Sequence, residues 1–319
     1  MRTPPWSTRP CGPLWDREGA AVCGEREGLD FARDGADWPN REASRFIEAG
    51  GLNWHVQVMG QGPDLLLLHG TGGATHSWRD LAPLLAQRFR VIAPDLPGHG
   101  FTTARRAPDL SLPGMARSIT ALIGRLALKP EVVVGHSAGA AILARLCLDG
   151  AITPRLFVSL NGAFLPFEGL AGMTFPALAK MLFLNPFAPR LFAWAADHAA
   201  VANLLLGTGS KIEPRGVELY ARLMRNPAHC AGALAMMANW NLETLAGDLK
   251  HLAVPTVLIV GNVDKAVPPG NASKVAALIP QASVERLPGL GHLAHEENPE
   301  LVARLIMARA AQVGVIAAP

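Results

Sequence analysis

The sequence predicts an α/β fold: a mostly parallel β-sheet with helices on both faces and an inserted helical lid. Three observations carry this. Short apolar runs at 64–68, 90–95, 131–135, 156–160 and 255–261 are bounded by turn residues. They are too short for independent helices and apolar at nearly every position, the pattern of strands buried on both faces. Helical patterns alternate with them, which implies crossover connections and a parallel sheet. The alternation then stops at Gly162 and resumes at Pro255, leaving a long segment of helical character between two halves of one sheet.

The elements follow in order. Residues 1–44 form a charged arm expected to be poorly ordered or to pack on the body. Residues 1–45 hold seven Arg and eight Asp or Glu, with Pro4, Pro5, Pro10 and Pro13 and no clean period. Residues 45–48 and 53–59 flank Gly50-Gly51 and read as a β-hairpin. Strands at 64–68 and 90–95 enclose a helix near 78–87, and a helix near 112–128 leads to the strand at 131–135. A helix at 138–148 precedes the strand at 156–160. After the strand at 255–261 come a helix near 271–279, a strand at 283–287 and a helix at 299–313. The core is therefore assigned to 45–162 and 251–319, and the lid to 163–250. In open parallel sheets ligands bind beyond the C-terminal strand ends, so an insertion leaving such an end covers the site.

Composition narrows the function classes. Half of the 319 residues are hydrophobic and 17% charged, with a mean hydropathy of +0.21. This excludes a disordered chain. The net charge of +3 offers no clustered basic footprint for nucleic acid. Cys11, Cys23, Cys147 and Cys230 have no zinc-finger spacing and are read as reduced. The N-terminus has no apolar signal core, so a cytoplasmic location is expected, compatible with peripheral membrane contact. No transmembrane span is expected, because the longest uncharged helical run is short and polar.

The chemistry-bearing motif is Gly135-His136-Ser137-Ala138-Gly139, which fits G-x-S-x-G. The pattern alone is weak, but here it follows an apolar strand and opens a helix, the setting the motif requires. The serine sits on a sharp turn, and the residues two before and two after must be small for strand and helix to approach. A serine hydroxyl needs a base held by a third group. His292, in Gly289-Leu290-Gly291-His292 after the last strand, is the expected base, with His295 as its neighbour and competitor. Asp264, in Gly261-Asn262-Val263-Asp264, is the acid at the end of a core strand in the interval. Asn161-Gly162, the alternative acid position, holds none, and Glu243 and Asp248 belong to the exit of the insertion.

The oxyanion hole is expected from the backbone N–H groups of Ala138 and Thr71, with Gly72 next, in the loop His69-Gly70-Thr71-Gly72-Gly73. That loop fits neither a Walker loop, having no following Lys, nor a dinucleotide fingerprint. No metal site and no cofactor are expected. His69, Gly70, Gly72 and His136 are candidates for shaping or lining the pocket. Phe164, Phe167, Trp240 and Val267 are the candidates contributed by the lid and the acid loop.

These residues resemble the α/β-hydrolase fold family over about 46–313, through the His69-Gly70 loop, Asp95-Leu96-Pro97-Gly98-His99-Gly100, the Ser137 motif, Asp264 and Gly291-His292. The serine nucleophile separates the chain from haloalkane dehalogenases and epoxide hydrolases. A narrower set is similar to the magnesium chelatase accessory proteins of bacteriochlorophyll synthesis. It comprises the stretch from Asp34 to Glu42, Gly70-Thr71-Gly72 with the run from Thr75 to Asp80, Ser137-Ala138-Gly139-Ala140-Ala141, Leu160-Asn161-Gly162-Ala163, and the run from Leu290 to Glu297. The resemblance implies a role near magnesium insertion into protoporphyrin IX and implies chelatase subunits as partners. That enzyme is separate and multi-subunit, so no magnesium or ATP site is carried over.

The lid holds Phe164, Phe167, Phe175, Phe183, Phe187, Phe192, Trp194, Met224, Met236, Met237 and Trp240. Residues of this kind serve first as lid core. With few charges among them, an apolar inner face is also expected, one that suits a tetrapyrrole, an acyl chain or a membrane surface. Three functions are compatible with the whole: a serine hydrolase for an ester or acyl bond of an apolar substrate; a non-catalytic accessory protein that binds a porphyrin or the chelatase; and carbon–carbon hydrolysis or perhydrolysis on the same triad.

Overall fold

The computed structural model of the chain describes residues 28–166, 185 and 187–318. Among them a single sheet of nine strands runs in the order β1 (Ser44–Ala49), β2 (Leu52–Met59), β4 (Arg90–Pro94), β3 (Asp64–Leu68), β6 (Val132–His136), β7 (Leu156–Leu160), β8 (Thr256–Gly261) and β9 (Ala282–Leu287). The short β5 (Thr103–Ala104), absent from the sequence reading, pairs with β2. The β1–β2 hairpin and the β2–β4 pair are antiparallel, and every pair from β4 to β9 is parallel.

The central strands are apolar because both faces are covered. On β3, Leu66 and Leu68 join a core cluster with α2 (Leu112–Arg125) and α3 (Ala138–Leu148). Leu65 and Leu67 join a second cluster with α1 (Leu81–Leu85) and the C-terminal helix at 299–312. Alternate side chains of one strand thus enter opposite layers, as the two-residue period of a strand requires. Fully burying one such Leu contributes about 1.5–3 kcal/mol.

The helix expected at 78–87 is shorter than its pattern. A 3-10 turn covers Thr75–Trp78 and α1 begins at Leu81. Pro83 has no N–H to reach the Arg79 carbonyl. That carbonyl instead accepts the Asn40 side chain at 3.0 Å.

Between β7 and β8 the described residues form helices α4 (Ala188–Ala195), α5 (His198–Gly207), α6 (Pro214–Met224), α7 (Pro227–Ala238) and α8 (Glu243–Asp248). α9 (Gly270–Leu278), α10 (Ala294–Glu297) and α11 (Pro299–Gln312) complete the chain. Residues 28–43, assigned to the charged arm, lie on the body, where Trp38 is buried against Ala74, Phe101, Leu219 and Leu223. Phe167, Phe175 and Phe183 lie outside the described residues. No helix among the described residues is long and apolar enough to cross a membrane.

Candidate active site

The sequence motif around Ser137 folds as its sterics demand. β6 ends at His136 and α3 begins at Ala138, so the whole reversal falls on Ser137, at φ 50° and ψ −117°. A side-chain-bearing residue at positive φ is strained, and such strain gathers at functional sites. The small neighbours are required by close approach. A Cβ on Gly139 would fall 2.1 Å from the Leu68 carbonyl oxygen, and one on Gly135 2.5 Å from the Ala140 nitrogen. Ser137 is anchored on both sides: its N–H donates to Leu160 O at 3.0 Å, and its carbonyl accepts from Ala140 and Ala163. The first N–H groups of α3, Ala138 among them, have no partner within the helix, which favours negative charge beside Ser137.

Asp264 and His292 come together from the ends of β8 and β9. The His292 Nδ1–H donates to Asp264 Oδ2 at 2.8 Å, leaving the lone pair of the neutral ring on Nε2. Asp264 is buried and fully engaged. Its Oδ1 accepts the Ala266 and Val267 N–H groups at 2.8 and 2.9 Å, and its Oδ2 also accepts the Asn161 amide at 2.7 Å. Asn161 is the residue that sequence reasoning passed over as a strand end without an acid. It sits at φ 49° and reaches the carboxylate from β7. The signal was its position, where an acid would otherwise be expected.

His136 links the loop of His292 to the turn of Ser137. Its Nε2–H donates to the His292 carbonyl at 3.0 Å, and the two rings lie 4.7 Å apart. Burial, with His295 and His292 nearby, holds His136 well below the ordinary histidine range, so it is neutral. Gly70 closes on the same point: a Cβ there would fall 2.8 Å from His136 Nδ1 and 3.0 Å from Ser137 Cβ. His295 faces elsewhere. Its Nε2 is 2.9 Å from Ser77 Oγ, and burial pushes its pKa down to about 3.

The loop after β3 is held by His69, whose Nδ1–H donates to Gly70 O at 2.8 Å while its Nε2 accepts the Leu96 N–H at 2.9 Å. Helix α7 of the insertion covers this loop. His229 Nε2–H donates to Gly72 O at 3.1 Å, and Thr71 Oγ1 donates to Met236 Sδ at 3.4 Å. Of the other candidates, Phe164 is buried edge-on against Phe157, and Trp240 packs on the main core. Val267 lines a cavity of about 20 Å³ with Asn161, Ser159 and Phe164. Among the described residues no group of three or more His, Cys, Asp and Glu is arranged to hold a metal ion. The arrangement offers an imidazole fixed by a carboxylate, linked through His136 to a serine on a strained turn.

Comparisons with known proteins agree with this architecture. The model of the alpha/beta hydrolase fold matches residues 63–299. The chain is 41% identical over 275 residues to the magnesium-chelatase 30 kDa subunit of Rhodobacter capsulatus, covering 85% of this chain and 96% of that protein. It is 30% identical over 262 residues to pyrrolizixenacetamide deacetylase of Xenorhabdus hominickii, covering 80% and 93%. A thermophilic esterase from Thermogutta terrifontis superposes with a TM-score of 0.68 at 23% identity, covering 85% and 98%, which shows the shared fold. By its sheet order, its matched residues and these relatives, the chain belongs to the α/β-hydrolase fold family.

Proposed function

We propose that the protein is a serine hydrolase acting on an ester or related acyl bond of an apolar substrate, as an accessory factor in magnesium-protoporphyrin metabolism. The observation that carries the reading is the 2.8 Å His292–Asp264 pair, tied through His136 to the strained turn of Ser137. Ser137 Oγ attacks the carbonyl carbon while His292 Nε2 takes its proton. Asp264 fixes the tautomer and stabilises the imidazolium. The Ala138 and Thr71 N–H groups hold the oxyanion, a contribution of about 2.7–4 kcal/mol per donor in comparable sites. His292 returns the proton to the leaving group, and water then releases the acyl group by the same path. The apolar character of the substrate is supported by Met236 over Thr71 and by the aromatic content of the insertion. The metabolic setting is supported by the identity to the chelatase subunit.

That same identity supports a second reading, a non-catalytic protein that binds a porphyrin or chelatase subunits. One pair of measurements separates the two. A fluorophosphonate probe should label the purified protein on the peptide containing Ser137, and Ser137→Ala should abolish labelling. In a phototrophic host lacking the gene, the wild type should restore magnesium-protoporphyrin and Ser137→Ala should not. An unlabelled wild type, together with full rescue by Ser137→Ala, sinks the hydrolase and leaves the binding protein.

A further inference from the structure

The insertion holds the candidate site from a segment that the sequence does not mark. Between α5 and α6 the chain runs through Thr208-Gly209-Ser210-Lys211. The Thr208 carbonyl accepts the Lys265 N–H at 3.0 Å, one residue past Asp264. Ser210 Oγ accepts the Leu293 N–H at 2.8 Å, one residue past His292, and Ser210 is 1% exposed. Gly209 lies between the two loops. A Cβ on it would fall 2.1 Å from Val263 O, and a Cβ on Gly291 would fall 2.4 Å from the Gly209 carbonyl. Glu297 completes the clasp, with Oε1 accepting the Gly291 N–H at 2.8 Å and Oε2 the Lys211 N–H at 3.0 Å.

The peptide group that follows His292 is thus held from both ends. Its carbonyl accepts from His136, beside Ser137, and the N–H that follows it donates to the insertion. Removing the Ser210 hydroxyl leaves a buried N–H without its acceptor and frees the peptide to turn, which swings the imidazole relative to Asp264. The same four residues grip the acid loop, so a shift of the insertion moves acid and base together. We infer that Ser210 is a positioning residue for His292, and that residues 208–211 make the seating of the insertion a condition for aligning the pair. This inference rests on the reading of Ser137, His292 and Asp264 as a triad.

The test uses the full chain and two readouts, well below the thermal midpoint of each variant. One is the rate of fluorophosphonate labelling at Ser137. The other is the low-field proton resonance of the His292 Nδ1–H, assigned by its loss in Asp264→Asn. Ser210→Ala should slow labelling about 10- to 100-fold, the effect of a small misplacement of a catalytic group, and should broaden the resonance through faster exchange. Ser210→Thr, which keeps the hydroxyl, should recover both. If Ser210→Ala does not fold, Ser210→Cys, with a weaker acceptor, is read the same way. An unchanged labelling rate with an unchanged resonance overturns the inference, as does a loss of both that Ser210→Thr fails to reverse. Should the wild type not label at all, the triad reading falls, and the response of the His292 resonance still decides the role of Ser210.

Discussion

A serine becomes a nucleophile through its surroundings, and this chain contains its own comparison. Ser44 Oγ lies 2.9 Å from His55 Nε2, whose Nδ1 lies 2.7 Å from Asp95 Oδ2. By composition this is a Ser–His–Asp chain. Yet Ser44 sits in ordinary extended backbone at the start of β1, with φ −70° and ψ 138°. Asp95 also accepts the Thr75 and Phe101 N–H groups, so the pair ties β2 to two loops. Ser137 differs in being strained and set at a helix N-terminus. That difference was legible in the sequence because a strand, a glycine-spaced turn and a helix are local. Asn161 was not legible as a partner, because its contact to Asp264 spans 103 residues. A hydrogen bond to a charged group is worth about 1.5–3 kcal/mol. Asn161→Gly removes the amide while suiting the positive φ, and it should slow Ser137 labelling at least about tenfold, since about 1.4 kcal/mol is a factor of ten. Labelling at the wild-type rate would show that Asp264 needs only its backbone donors.

At the scale of elements, the alternating strands and helices were legible because each buries a periodic face. What escaped was packing between distant segments. The charged composition of the first 44 residues left open a poorly ordered arm or one that packs on the body, and residues 28–43 pack on the body around Trp38, with Phe31 beside it. Trp38 is 2% exposed, donates from Nε1 to Thr75 Oγ1 at 2.9 Å and meets Phe101 edge-on at 4.9 Å. Asp37 beside it pairs with Arg215 and Arg222 of α6 at 2.6 and 2.5 Å, in contact with solvent. The two residues make opposite predictions. Trp38→Ala leaves a cavity where core loop and insertion helix meet and should cost about 3–5 kcal/mol. Asp37→Asn removes exposed ion pairs and should cost less than about 1 kcal/mol. Denaturant titrations of both variants compare them directly. A larger loss from Asp37→Asn would mean that charge, not apolar burial, seats the segment.

For the molecule as a whole, the high mean hydropathy divides between two places. Most of it lies in a sheet covered on both faces, while part remains on the surface of α4, where Leu191 and Trp194 are exposed. A less visible property is the burial of eight of the ten histidines. Desolvation holds His69, His76, His99 and His136 below the ordinary histidine value, and pushes His229 down to about 4 and His295 to about 3. All six are neutral when folded and titrate near pH 6.5 when unfolded, so below that pH the unfolded chain binds more protons. Their contribution to stability is therefore complete above pH 6.5. It is lost as the pH falls from there toward the folded values, at about 1.4 kcal/mol per group for each pH unit. Paired carboxylates such as Asp64 are lost in the same direction but only at lower pH, since they start from 3.8. The thermal midpoint should accordingly be flat between pH 8 and 7 and fall progressively as the pH drops below 6.5. A protein that keeps its midpoint to pH 5 would show that these histidines are hydrated or paired in ways that let them charge without unfolding the chain.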